Sequence, residues 1–82
     1  MKAEDLSEFN RKLGEVFRLE REKQGLSRNR LSEIAGVSRT GVIMFERGER
    51  APTIVICVAM AAGLGVPLST LIRRAEKGLP GK

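Results

Sequence analysis

Leu6, Phe9, Leu13, Val16 and Phe17 recur at spacings of three and four. In an α-helix that spacing gathers side chains into one apolar stripe. The pattern predicts a first helix from about Ser7 to Gln24, closed by Gly25, a residue type common just past a helix end. Gly14 lies inside it at a cost of about 1 kcal/mol relative to Ala. A close approach by another helix is one reason to keep glycine there. Ser27 can accept from a free backbone N–H of the following turn. It opens a short second helix with Leu31 and Ala35 on one face, ending at Gly36. Ser38 is a second cap of the same kind. The third helix reads Arg39 to about Arg47, with Val42 and Phe45 inward, and Gly48 closes it. Thr53 caps a fourth, from Ile54 to about Leu64. After a turn at Gly65-Val66-Pro67, a fifth covers about Leu68 to Ala75, with Leu68, Leu71 and Ile72 inward. Lys77 to Lys82 holds two Gly and a Pro and reads as a flexible tail. Period-two alternation is absent. The expected fold class is all-α: a compact five-helix bundle in one domain, residues 1–76, with its core at about 13–72.

Composition narrows the function. A chain of 82 residues has a modest core, marginal unless it packs economically or pairs with another copy. With three Phe and no Tyr or Trp, aliphatic side chains must fill that core. The one Cys, Cys57, has no intrachain partner for a disulfide, which fits a reducing cytoplasm. A structural zinc needs several Cys or His. With no His, the usual general base and the Ser–His nucleophile pair are missing. The expectation is therefore no enzyme, no cofactor and no metal. The N-terminal MKAEDLSEFNRK is charged and unlike a signal peptide. The longest apolar run, Ile54 to Val66, has 13 residues, against the roughly 20 that span a bilayer. No membrane partner is expected. Fifteen Lys and Arg against ten Asp and Glu leave a net charge of +5. Ten of those cations are Arg, whose planar fork of donors matches phosphate.

Arg28 to Phe45 is the informative stretch. Two short helices flank a tight turn centred on Gly36, and Leu31 and Ala35 must meet Val42 and Phe45 across it. This is a helix-turn-helix arrangement. The text GLSRNRLSEIAGVSRTGVIMFERGERAPT, residues 25–53, resembles the Cro/repressor-type (Xre family) helix-turn-helix proteins, and GLGVPLSTLI resembles their approach to a fifth helix. The likeness covers about Leu13 to Ile72. It implies a lambda-repressor-like fold and sequence-specific binding of double-stranded DNA as a transcriptional regulator, in the sense of a repressor at a palindromic operator.

The resemblance makes Arg39 to Arg47 the recognition helix. Ser38, Arg39, Thr40, Ile43 and Met44 fall where relatives contact bases or nearby phosphates. Arg28 opens the second helix, where relatives bind phosphate, and Asn29, Arg47 and Arg50 complete the expected DNA-facing set. Arg39 is the candidate to read guanine O6 and N7. Arg21 and Glu46 stand at positions that pair in relatives, which implies an ion pair joining the first and third helices. Gly41 departs from the family pattern and weakens the recognition helix. Ile43 and Met44 are apolar where relatives are often polar. They suit thymine methyl groups or a protein surface equally. An alternative of another class therefore stands: a protein-interaction module, such as an antitoxin-like protein, with DNA binding secondary.

The fourth helix carries no charge along its length. Alignment on the family turns Ile54, Cys57, Val58, Ala61 and Leu64 to the core. Val55, Ile56, Ala59 and Ala62 are left outward, which implies a homodimer through this face. Folding of Met1 to Phe9 back over the stripe is the competing arrangement.

Overall fold

The computed structural model describes residues 2–78, and these form five helices with no strand among them. They are α1 (Ala3–Lys23), α2 (Arg28–Ala35), α3 (Arg39–Glu46), α4 (Ile54–Leu64) and α5 (Leu68–Lys77). Side-chain caps set three of the starts. Ser27 accepts from the Arg30 N–H at 3.0 Å, Ser38 from Gly41 at 2.9 Å and Thr53 from Ile56 at 3.2 Å. Helix α1 begins earlier than its apolar periodicity suggests. Asp5 accepts from the Lys2 N–H at 3.2 Å, and Glu4 and Asp5 complement the positive end of the helix dipole. Helix α5 runs on through Lys77, two residues past the expected end at Ala75. The expected flexible tail thus loses Lys77, and its residues 79–82 lie outside the described residues.

The core is a single cluster. Phe17 and Phe45 meet edge-on with ring centroids 5.0 Å apart. Leu13, Leu31, Val42, Met60, Ala61, Leu64, Leu71 and Ala75 close around them. Leu6, expected on the same stripe, is instead 57% exposed, because the first turns of α1 extend beyond this cluster. Gly14 marks the tightest joint. A Cβ there would lie 2.1 Å from the Phe45 carbonyl oxygen, so glycine lets the α1 backbone rest directly on the end of α3.

Helix α4 keeps most of its expected orientation and departs from it at Ile54, Val58 and Met60. Cys57, Met60, Ala61 and Leu64 are buried, whereas Ile54 and Val58 are 63% and 52% exposed. Met60 sits at i+3 from Cys57 and i−4 from Leu64, so these three share a face. Val58 is turned off that face, and Ile54 sits at the open first turn. Of the four residues expected outward, Val55, Ile56 and Ala62 are exposed and Ala59 is half-buried. Because α1 is one continuous helix from Ala3, its first turns do not fold back to cover this stripe.

Among the described residues no single helix is long and apolar enough to cross a membrane.

Candidate nucleic-acid interface

Helices α2 and α3 build the site, and the turn between them is set by one glycine. Gly36 adopts φ 71°, ψ 30°, a left-handed conformation open to glycine at little cost. The N–H groups of Gly36 and Val37 both return to the Ser32 carbonyl, at 2.9 and 3.1 Å. These bonds close the end of α2 and release the chain directly into the Ser38 cap.

On the outer side of α3, Ser38, Arg39 and Thr40 are exposed, while Ile43 and Met44 are half-buried. Asn29, Arg47 and Arg50 are also exposed, and Arg28 is half-buried. Arg39 and Arg50 pair with no carboxylate among the described residues, so their full charge faces solvent. Arg47 lies 3.1 Å from Glu49. An open cleft of about 370 Å³ runs between the start of α2 and the outer face of α3. Arg28 and Asn29 line it on one side, Arg39 and Ile43 on the other. Gly41 leaves α3 slender at its first turn, where its N–H is held by Ser38.

Behind the cleft lies the Glu46 carboxylate, whose side chain is fully buried. Arg21 Nε donates to its Oε2 at 2.7 Å and Arg21 Nη2 to its Oε1 at 3.1 Å, a two-pronged pair. Arg21 Nη1 donates to the Leu26 carbonyl at 2.7 Å, so the same guanidinium also holds the link into α2. The Glu46 hydrogen bond raises the Arg21 pKa above its ordinary value, against the opposing pull of burial. This joint ties α1, the α1–α2 link and α3 together.

Sequence reasoning missed two features. Arg28 Nε also donates to Glu46 Oε1, at 2.9 Å, so the expected phosphate-binding arginine is anchored at one edge. Its terminal amino groups make no hydrogen bond among the described residues. A second polar joint ties the end of α1 to α4 and α5. The buried Glu20 accepts from Gln24 at 2.8 Å and from Arg74 at 2.8 Å, and Gln24 also donates to the Leu64 carbonyl at 2.7 Å. No pairwise spacing within a helix could have indicated the partners on α4 and α5.

A basic cleft, a recognition-type helix behind a glycine turn and a buried ion pair locking that helix together define a helix-turn-helix domain. The chain belongs to the helix-turn-helix family, whose model matches residues 17–71. It is 35% identical over 77 residues to the HTH-type transcriptional regulator SutR of Escherichia coli (strain K12), covering 94% of this chain and 42% of that protein. The chain thus spans less than half the length of that relative. Among solved structures it resembles the restriction-modification controller protein C.AhdI of Aeromonas hydrophila, with TM-score 0.73 and 31% identity, covering 74% of this chain and 92% of that one. The clp gene regulator ClgR of Corynebacterium glutamicum shares the fold, with TM-score 0.82 at 20% identity, over 90% of this chain and 96% of that one.

Proposed function

We propose that this chain binds double-stranded DNA in the cytoplasm as the reading domain of a transcriptional regulator, acting as a repressor. Helix α3 enters the major groove, Arg39 reads a guanine edge, and Arg28, Asn29, Arg47 and Arg50 meet phosphates on either side. The observation that carries this reading is the outer face of α3. Ser38, Arg39 and Thr40 stand exposed there, Arg39 without a carboxylate partner, beside a cleft lined by Arg28. Helix-turn-helix proteins use such a face to contact base edges. Ile43 lines the cleft next to Arg39, a place suited to a thymine methyl. No cofactor enters this scheme.

A second copy of the chain completes it. Ile54, Val55 and Val58 are exposed on a helix without charge, Val55 by 72%, and contiguous exposed apolar surface of this kind marks an interface. Pairing through α4 would present two recognition helices to half-sites about 34–36 Å apart on a palindromic operator.

The test is a salt titration on duplex DNA. Each neutralised phosphate releases counterions. With roughly 6–10 phosphate contacts per dimer, affinity should fall about 10³–10⁵-fold between 50 and 200 mM salt. Arg39→Ala should lower discrimination at one base pair by about 1–3 kcal/mol, while a phosphate contact weakens all sequences alike. Absence of DNA binding at low salt sinks the reading.

A further inference from the structure

We propose that Glu46 is a positioning residue for the phosphate contact of Arg28, holding that guanidinium in its binding pose before DNA arrives. The inference rests on the DNA-binding reading and adds to it the group that aims the clamp. Arg21 alone engages both oxygens of the Glu46 carboxylate, through Nε at 2.7 Å and Nη2 at 3.1 Å. Neutralising Glu46 therefore does not require a second arginine. Arg28 Nε nevertheless takes a further acceptor site on Oε1, at 2.9 Å. The consequence falls on Arg28. A guanidinium has two hydrogen-bonding edges, and occupying Nε anchors one while leaving the terminal amino edge open for a phosphate. The two ends of this contact differ sharply in exposure: the Glu46 side chain is 0% exposed and that of Arg28 is 41% exposed. The carboxylate is thus a fixed post inside the protein, and Arg28 reaches from it into the cleft shared with Arg39. Rotamer freedom of a long side chain is normally lost on binding and weakens it. Here Arg28 loses it on folding. One carboxylate at the end of α3 thereby sets both the seat of the recognition helix and the aim of the cation at the start of α2.

The experiment measures duplex affinity and its salt slope for the full chain and for Glu46→Gln, Arg28→Ala and Arg28→Lys. A double variant completes the cycle, and circular dichroism at low temperature shows that each protein is folded. Folded Glu46→Gln should bind about 3- to 10-fold more weakly at fixed salt, the effect of leaving one long side chain to be ordered on binding. Arg28→Ala should flatten the log–log salt slope by about 0.9 per copy bound. Glu46→Gln combined with Arg28→Ala should bind no worse than Arg28→Ala alone. A role for Glu46 confined to seating α3 would lower the melting temperature and weaken binding by the same factor whether or not Arg28 is present. Wild-type affinity in folded Glu46→Gln, or losses that multiply in the double variant, would overturn the proposal. Should Glu46→Gln fail to fold, Arg28→Lys carries the test. A single ammonium keeps the charge but lacks the two edges, so affinity should fall while the slope holds, and wild-type affinity in that variant would equally overturn it. A chain that fails to bind duplex DNA at all refutes the DNA-binding reading instead, and is told apart by the wild-type titration.

Discussion

Replacing Gly14 by alanine sets two effects of opposite sign against each other. In a helix interior alanine is favoured over glycine by about 1 kcal/mol, so a solvent-facing site would gain stability. At Gly14 the added Cβ would stand 2.1 Å from the Phe45 carbonyl oxygen, 3.1 Å from its carbon and 3.3 Å from Glu46 Cα. All three are backbone atoms of α3, so no rotamer change relieves the contact. The helices must separate by about an ångström to reach ordinary van der Waals distance. Overpacking a tight interior costs about 1–3 kcal/mol, occasionally more. Rigid backbone on both sides puts Gly14→Ala at or above the top of that range. After subtracting the helix gain, a net loss of about 2 kcal/mol is expected. In a domain of this size that lowers the melting temperature by about 8–16 °C. Separation would also stretch the Arg21–Glu46 pair, whose partners lie on the same two helices. Thermal and urea melts followed by circular dichroism measure the effect. An alanine variant as stable as wild type, or more stable, refutes the direct seating of α1 on α3.

Glu46→Ala should destabilise the fold by about 3 kcal/mol, because it strands the buried Arg21 charge, and Arg21→Ala should cost less, because Arg28 still pairs with Glu46. Melts of the single variants and the double variant should reveal strong coupling, and additive losses would mean the pair contributes nothing as a pair. Gln24, then Arg74, hydrogen-bond to Glu20 and hold its pKa below the ordinary value near 4.5. Its stabilisation is therefore fully present above that value and is lost as pH falls through the lower folded-state value. Wild type should lose stability relative to Glu20→Gln only below about pH 4.5, and parallel pH profiles would count against this. Changing Val55 to Glu and Ile56 to Lys should yield a monomer by light scattering and weaken operator binding. A wild-type protein already monomeric at high concentration would end the α4 pairing scheme, and a variant that stays dimeric would move the interface elsewhere.

Helix starts and stops were legible in the chain because each depends on a few adjacent residues. Ser27, Ser38 and Thr53 cap from three residues away, and the chain need only reach that far. The predicted start of α1 missed Asp5 as a capping acceptor because it followed the apolar stripe alone. The orientation of α4 was legible only in part: the family resemblance turned Cys57, Ala61 and Leu64 inward and Val55, Ile56 and Ala62 outward, as found, but put Ile54 and Val58 inside and missed Met60. Its residues are apolar on every side, so no periodicity distinguishes the buried Met60 from the exposed Val58. Packing against α2, α5 and α1 selects the face that carries Cys57, Met60, Ala61 and Leu64. A family resemblance, and not spacing, suggested that Arg21 and Glu46 would pair, and nothing in the text suggested that Arg28 would join them from 18 positions away.

The sequence by itself therefore determined the five helices, the caps of α2, α3 and α4, the glycine turn before α3 and the basic side chains on and around it. These are local properties, settled by hydrogen bonds and periodicity within a turn or two. The tertiary structure alone decided that Met60 and not Val58 is buried on α4, how closely Gly14 lets α1 approach Phe45, and that one buried carboxylate holds two arginines. Each of these depends on distances between helices, and those are set only when the whole core closes.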